Sequence, residues 1–215
     1  SGIIGGALGI AAGAKRGSTL DRCVKADCLV LASTPTFWLA LVMLIVFSVQ
    51  LDWFPLGFSV PIGVAASEVS FADTLHHMVL PALTLSGLGV ANIALHTREK
   101  TIDVLESDYI RFARARGLST WQALRRHGLR NLSLPAITLQ FASISEIFGG
   151  SVLVEQVFSY PGLGQAAVTA GLGGDAALLA GIAVFSAAIV FAGNLTANIL
   201  YGVIDPRIRK GGAHA

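Results

Sequence analysis

Charge is what this sequence has least of. Only 13% of its residues are Asp, Glu, Lys or Arg, whereas 53% are hydrophobic. Soluble domains carry about 25% charged residues. The deficit comes from long runs without a single charge, and such runs predict helices inside a lipid bilayer. The composition therefore excludes an ordinary water-soluble domain and predicts an all-α integral membrane protein.

Several chemical motifs are missing as well. The chain has no Gly-x-x-x-x-Gly-Lys-Ser/Thr phosphate loop, so any ATP hydrolysis linked to it must belong to another chain. Neither a Ser/His/Asp pattern nor an H-E-x-x-H motif indicates catalysis within the membrane. Cys23 and Cys28 suggest free thiols rather than a disulfide framework. We therefore expect a protein that is not an enzyme.

The adjacent histidines His76 and His77 are the one sequence pattern that could indicate a metal site. Neighbouring residues do not share a helix face, and the sequence places no further ligand beside them. They fall at the outer boundary of a predicted span, where we expect them to form interfacial hydrogen bonds. No metal site is predicted.

Four runs are long and apolar enough to span the bilayer. They cover approximately residues 29–51, 78–97, 132–154 and 176–204, and Glu146 is the one charge inside them. Residues 1–14 are also apolar, but as a helix they would reach only about 21 Å against a hydrocarbon core of about 30 Å. We expect residues 1–14 to be the remnant of a truncated transmembrane helix.

Basic residues are absent from alternate loops. Four lie in residues 15–25, eight in 98–130 and three after 204, which accounts for all 15 in the chain. Residues 52–75 and 155–175 contain none. Cytoplasmic loops carry the excess of Lys and Arg. Residues 98–131 and the C-terminus are therefore predicted to be cytoplasmic, and the two loops without basic residues to face outward.

The most basic loop, residues 98–131, is patterned as two helices with a break. Residues 98–116 are predicted to continue the preceding span as a helix, and Gly117 fits its end because the left-handed conformation is easiest for glycine. Ser119 and Gln122 have the spacing of a capping box, which predicts a second helix there. Pro135 is expected in the first turn of the following span.

The second helix of this loop is predicted to be amphipathic. One face is expected to hold Leu118, Trp121, Leu124 and Leu129, and another Arg125, Arg126 and Arg130. One reading is an interfacial helix anchored on lipid headgroups. The other is a fixed helix-turn-helix that docks on a soluble partner, and the pattern alone leaves both open.

The letters ARARGLSTWQALRRHGLRNLSLP, residues 113–135, resemble the signature loop, or EAA motif, of membrane subunits of ATP-binding-cassette importers. The interval from Gly117 to Pro135 and the run RHGLRN look most like the dipeptide/oligopeptide/nickel branch. KRGSTLDR, STPTFWLAL, LPALTL, VEQVFSYPGLG and DPRIR resemble that branch in the same order. Arg111 and Phe112 replace the Glu and first Ala of the motif, while Ala113 and Gly117 remain.

The resemblance implies a type I importer transmembrane domain over residues 1–215, with about five of six helices represented. The chain would be a permease subunit in a bacterial or archaeal plasma membrane, forming a path for peptides or for nickel and other metal complexes. Its partners would be two ATPase subunits, a second homologous permease, membrane lipid, and an external substrate-binding protein docked on residues 52–75 and 155–175. ATP and Mg²⁺ would be used by the ATPase subunits, and this chain would bind no cofactor.

The resemblance also implies that the cytoplasmic loop couples the chain to the ATPase. The residues expected to form that coupling site are Ala113, Gly117, Leu118, Ser119, Trp121, Gln122, Arg125, Arg126, Arg130 and Pro135. The same arginines have two other possible partners, lipid phosphates and the nearby acids Asp103, Glu106 and Asp108.

Glu146 is costly inside a span and is expected to face a cavity or a partner. It either lines the translocation path or bonds to a neighbouring helix, with Asn194 or Asn198 as its partner.

Two other functional classes compete with an ATP-driven importer. A secondary transporter predicts internal repeats with intramembrane charges at corresponding positions, and the sequence shows neither. The other class is a structural subunit of another membrane complex. Co-purification with an ATPase distinguishes both from the importer.

Overall fold

The computed structural model describes the backbone of residues 1–61, 63 and 69–204. Side chains are described for the same residues except 127, 130, 134, 135, 145–150, 201 and 204. Throughout this described part the regular elements are helices. They are α1 (Gly2–Ala14), α2 (Thr19–Ser33), α3 (Thr36–Met43), α4 (Phe71–Glu106), α5 (Asp108–Ala115), α6 (Thr120–Ala123), α7 (Leu129–Val157), α8 (Leu163–Leu172) and α9 (Ala176–Ile204). A π-helix, Leu44–Gln50, continues α3, and another, Leu124–Gly128, joins α6 to α7.

The all-α prediction is confirmed by these helices. Helix α9 has the predicted bounds 176–204, and α7 extends the predicted 132–154 by a few residues at each end. Among the described residues, Phe71–Glu106 and Ala176–Leu200 are each long and apolar enough to cross a membrane. Thr19–Ser33 and Thr36–Gln50 together would make a third span, interrupted by a bend at their break. Four complete spans remain a prediction.

The polar stretch after α1 is not the loop that we predicted, because helix α2 already starts at Thr19. Its first turn is organised by Ser18, whose side-chain Oγ accepts a hydrogen bond from the backbone N–H of Asp21 at 3.3 Å. The helix then stops at Ser33, and α3 begins after Pro35, whose fixed backbone favours a helix start.

The expectation of one helix over residues 98–116 is wrong. Helix α4 ends at Glu106, and Ser107 takes an extended conformation (φ −69°, ψ 149°) before α5 begins. The Ser107 hydroxyl donates a hydrogen bond to the Val104 carbonyl oxygen. Serine side chains compete in this way with helical backbone bonding, which explains a break without Gly or Pro.

The prediction for Pro135 is also wrong, since it lies inside α7 rather than in the first turn of a new helix. The helix already starts at Thr120 and passes through the π-helical turn into α7 without a stop. The backbone bond that a proline removes is tolerated in membrane helices, where neighbouring groups satisfy the freed carbonyl. The loop 155–175, which was predicted to face outward, likewise contains a helix that was not predicted, α8.

The chain forms two compact units. The first comprises Ser1–Ala32, Gly89–Ser143 and the described residues from Phe191, and the second comprises Ser33–Leu88 and Ile144–Val190.

Helix α1 packs closely on α4 within the first unit. A β-carbon added to Gly5, Gly9 or Gly13 would lie 2.5–2.8 Å from a backbone carbonyl oxygen of α4. The oxygens belong in turn to Val90, Ala94 and Arg98, so both helices contribute every fourth residue. Small residues at this spacing let two helices approach closely in lipid.

The second unit has its core around Ala40, Leu80, Val154 and Phe158. The segment after the α3 π-helix folds onto this core, where the backbone N–H of Phe58 donates to the Phe158 carbonyl at 2.8 Å. The histidine pair holds the same segment. His76 Nε2 lies 3.0 Å from the Trp53 carbonyl oxygen, and His77 Nδ1 lies 2.9 Å from that of Gly57.

Candidate functional site

The segment from Ser107 to Gly128 is the part of the first unit with the most distinctive local structure. It consists of α5, a sharp turn, α6 and the π-helical turn that leads into α7. We call it the turn segment. It lies in the basic loop predicted to be cytoplasmic.

The first helix of the turn segment ends at Gly117, as predicted. Gly117 has φ +92°, in the region that favours glycine. Its N–H donates to the Arg114 carbonyl at 2.9 Å, and the N–H of Leu118 donates to that of Ala113 at 3.3 Å. This pair of bonds is a Schellman motif, which satisfies carbonyls left open at a helix end.

The second helix starts with the predicted capping box. The backbone N–H of Gln122 donates to Ser119 Oγ at 3.3 Å, and the backbone N–H of Ser119 donates to Gln122 Oε1 at 3.0 Å. Each residue thus satisfies a donor of the other. Because both helix ends are closed by local bonds, the direction of the chain at the turn is fixed by the segment itself.

The inner side of the turn segment is apolar and buried. The buried residues of this cluster are Val104, Ile110, Ala113, Ala123, Leu124 and Leu132. Leu118 packs against them, as expected for the residue after a Schellman glycine. This packing anchors the turn on α4 and α7.

The predicted single apolar face of the second helix is therefore wrong. Leu118 and Leu124 pack inward, whereas Trp121 is 57% exposed and Leu129 is 39% exposed. Leu118 lies in the turn before the helix, and the π-helical turn after Ala123 changes the angular spacing of the residues beyond it. A regular 3.6-residue period consequently assigns these four side chains to the wrong common face.

The outer side of the turn segment carries aromatic and basic side chains. Phe112 is 71% exposed, and the exposed arginines of the segment are Arg111, Arg114, Arg116, Arg125 and Arg126. Two open clefts flank the turn. One, of about 700 Å³, is lined by Arg111, Arg114, Gly117, Leu118, Ser119, Thr120 and Gln122. The other, of about 520 Å³, is lined by Tyr109, Phe112, Ala113, Arg116, Leu118 and Arg126.

The acids near the turn do not neutralise the arginines of the second helix. Among the described side chains, Arg125 and Arg126 form no ion pair with Asp103, Glu106 or Asp108. Their charge is therefore available at the surface for another molecule.

The remaining predicted site residues are not brought together by described contacts. The side chains of Arg130, Pro135 and Glu146 lie outside the described residues. Asn194 and Asn198 are exposed on α9. No cluster of three or more His, Cys, Asp or Glu residues with the geometry of a metal site occurs within the described part of the chain.

Sequence reasoning missed an ion pair between α2 and α4. Asp21 is buried, and its carboxylate accepts hydrogen bonds from Arg98 Nε at 2.5 Å and Arg98 Nη2 at 2.8 Å. Gly17 N–H donates to the same carboxylate at 2.8 Å. The partners are 77 residues apart in the sequence, so no local pattern signals the pair.

Sequence reasoning also missed the role of Glu155 in the second unit. Its carboxylate accepts hydrogen bonds from the backbone N–H groups of Gly164 at 3.3 Å and Gln165 at 2.6 Å. These donors belong to the first turn of α8, where a negative charge is favourable. The letters VEQVFSYPGLG thus form a helix, a turn and the capped start of a second helix.

Comparison with protein families matches residues 5–210 to the family described as binding-protein-dependent transport system inner membrane component. The chain is 40% identical over 191 residues to the oligopeptide transport system permease protein AppB of Bacillus subtilis, covering 89% of this chain and 60% of AppB. It is 34% identical over 224 residues to the di/tripeptide transport system permease protein DppB of Pseudomonas aeruginosa, covering 97% of this chain and 67% of DppB. A putative peptide transport system permease protein of Brucella abortus is 36% identical over 210 residues, which cover 96% of this chain and 64% of the relative.

Proposed function

This chain belongs to the family of inner membrane components of binding-protein-dependent transport systems, and from that premise we propose that it is a permease subunit of an ATP-driven peptide importer. It is an integral membrane protein of a transport family rather than an enzyme. Peptides are the proposed substrates because the similar relatives are named as peptide, oligopeptide or di/tripeptide permeases.

The observation that carries the proposal is the construction of the turn segment. Its inner face is fixed by a buried cluster, its two helix ends are closed by local bonds, and its outer face presents aromatic and basic side chains. The few residues that dominate binding energy in protein interfaces are enriched in Trp, Tyr and Arg. We propose that this outer face docks in a groove of an ATPase subunit.

The residues of this site have two kinds of role in the proposal. Ala113, Gly117, Leu118, Ser119 and Gln122 shape the turn. The proposed contacts to the ATPase are Trp121, Arg125, Arg126 and Arg130. Pro135 belongs to α7, the helix that follows the turn segment.

In the proposed cycle, two such permease chains pair around a translocation path, and each docks on one ATPase subunit. ATP and Mg²⁺ bind to the ATPase pair, and this chain holds no cofactor of its own. Closure of the pair displaces the turn segments, and the membrane helices change from an inward-facing to an outward-facing arrangement, a rigid-body switch between two states.

The proposed outer partner is a substrate-binding protein. It would dock on residues 52–75 and 155–175, which contain no Lys or Arg and therefore present an acidic bias. Charge complementarity of this kind orients a docking protein. With the turn segment proposed as cytoplasmic, these two loops lie on the opposite side of the membrane.

The proposed path-lining residues are Glu146, Asn194 and Asn198. A carboxylate in a spanning helix is retained where it faces a cavity or a polar partner. If Glu146 meets the amino group of a peptide, Glu146→Gln should weaken uptake of peptides with a free amino terminus. Unchanged transport and unchanged substrate preference in Glu146→Gln would remove Glu146 from the path.

Co-purification tests the proposal. Wild-type chain expressed with its cognate subunits should retain an ATPase, and Trp121→Ala should weaken the interaction by about 30-fold, as expected for a central aromatic anchor worth about 2 kcal/mol. Phe71→Ala is the matched control, because Phe71 is an exposed aromatic residue at the other end of α4. Uptake that persists without an ATPase and collapses with the ion gradient would instead identify a secondary transporter.

A further inference from the structure

The turn between α1 and α2, residues 15–18, and the first turn of α2 contact the last part of α4, from Arg98 to Glu106. The buried pair of Asp21 and Arg98 is the centre of this contact, with two bonds between the carboxylate and the guanidinium. Only 4% of the Asp21 side chain and 15% of the Arg98 side chain are exposed. The N–H of Gly17 bonds to the same carboxylate and joins the turn to the pair.

Two further contacts lie along α4. Toward the N-terminus of α4, Gly9 and Gly13 bring α1 against the α4 backbone at Ala94 and Arg98. Toward the C-terminus of α4, Arg16 Nη1 lies 2.6 Å from Glu106 Oε1 in an exposed ion pair. Glu106 is the last residue of α4, and only Ser107 separates it from α5. The contacts therefore reach the start of the turn segment.

The two ion pairs differ in what they contribute. An exposed pair such as Arg16 and Glu106 adds little, because water screens both charges. A buried pair is different, since removal of one partner leaves an uncompensated charge out of water. Asp21 and Arg98 thus oppose sliding of α4 past the α1–α2 turn, because sliding would leave the buried Asp21 carboxylate without its partner.

We propose that Asp21 and Arg98 are positioning residues that make the α1–α2 turn and the end of α4 move as one body when the turn segment is displaced. The inference rests on the proposed function. Without the pair, a displacement that reaches the end of α4 would be absorbed along the α1–α4 contact. With the pair, the displacement of α4 is passed to α1 and α2. The pair therefore increases the efficiency with which ATP hydrolysis is coupled to transport.

The test compares peptides imported per ATP hydrolysed, measured for equal amounts of assembled importer reconstituted in vesicles. Asp21→Asn keeps the size of the side chain and removes its charge. We expect the ratio to fall about tenfold, a coupling loss in the usual range for linked sites. Glu106→Gln removes the exposed ion pair between Arg16 and Glu106, and it should leave the ratio within about twofold of the wild-type value. The exchange Asp21→Arg with Arg98→Asp should recover part of the loss.

A residue that only stabilises the fold would reduce the amount of assembled importer without changing the ratio. An unchanged ratio in assembled Asp21→Asn importer would overturn the inference. If Asp21→Asn does not assemble, the double variant Asp21→Asn with Arg98→Gln decides, because it removes both charges and leaves neither of them buried without a partner. A normal ratio in the assembled double variant would then overturn the inference, and a reduced ratio would support it. A wild-type importer that hydrolyses no ATP would instead refute the proposed function.

Discussion

Gly117 and Gly162 each lie in a turn that connects two helices, and the glycine is needed for a different reason in each. Gly117 joins α5 to α6 in the first unit, and Gly162 precedes α8 in the second unit. Gly117 has φ +92° and open space where a β-carbon would stand. Gly162 has φ −110° and ψ 176°, an extended conformation that any residue adopts, but a β-carbon there would overlap the Glu155 carboxylate.

The difference shows how each turn is built. The turn at Gly117 is limited by backbone conformation and closed by residues beside it in the sequence, so its outer face stays free. The turn at Gly162 is limited by space and closed by a carboxylate from the preceding helix. A turn of the first kind suits a docking surface, and a turn of the second kind suits a fixed joint.

The sharpest test of this comparison is Gly162→Ala. The methyl group must displace the Glu155 carboxylate, which removes the cap of α8 as well as the packing. Because the overlapped atoms are the end of a flexible side chain that can move aside, we expect a loss of about 1–2 kcal/mol, the cost of the lost cap. Thermal unfolding of the detergent-solubilised protein measures it. In the double variant with Glu155→Ala the overlap is gone, so the combined loss should be smaller than the sum of the single losses.

Glu155→Ala alone should cost about as much as Gly162→Ala, because both variants remove the carboxylate that caps α8. It leaves the N–H groups of Gly164 and Gln165 without their acceptor, and the loss of a helix cap costs about 1–2 kcal/mol. Glu155→Gln retains one acceptor oxygen and should recover part of this loss. The same unfolding measurement applies. Equal stabilities of the Ala variant and the wild type would show that the carboxylate does not hold α8.

Gly117→Ala should cost about 1 kcal/mol, because only the left-handed backbone opposes the methyl group. Gly117→Asn should cost less, since asparagine tolerates this conformation better than other residues. Thermal unfolding separates the two variants. If alanine and asparagine are equally harmful, space rather than backbone conformation limits this turn, and the contrast with Gly162 fails.

Ser119→Ala should have the smallest effect, about 0.5–1 kcal/mol, because the capping hydroxyl is exposed and water replaces it in part. Ser119→Thr keeps the hydroxyl and serves as the matched control. Both are compared by unfolding midpoints and by retention of the ATPase on co-purification. A loss of stability as large as that of Glu155→Ala would show that the Ser119 hydroxyl stabilises its helix as strongly as the Glu155 carboxylate stabilises α8, and would contradict the comparison.

The parts of the structure that were predictable from sequence depend on neighbouring residues. The stop at Gly117 and the cap of Ser119 with Gln122 are signalled within six residues, and both are confirmed. The bounds of α9 follow from an uninterrupted apolar run. In each case the physical cause lies in neighbouring residues, so the sequence alone predicts the feature.

The parts that were missed depend on residues far apart or on a departure from a regular period. Asp21 meets Arg98 only because the tertiary fold brings α2 to α4. The stop at Ser107 has no Gly or Pro to mark it, and the π-helical turn shifts the positions of Leu124 and Leu129. A signal for the α1–α4 contact was present in Gly5, Gly9 and Gly13, whose four-residue spacing indicates close helix packing.

The closed ends of the turn segment have a consequence for the entropy of association. A loop that becomes ordered only on binding loses conformational freedom at that moment, and this loss weakens its affinity. Here the Schellman bonds of Gly117 and Leu118 and the reciprocal bonds of Ser119 and Gln122 already hold the free chain in shape. A partner that binds the outer face therefore meets a preorganised backbone, and none of the contact energy is lost to ordering the turn.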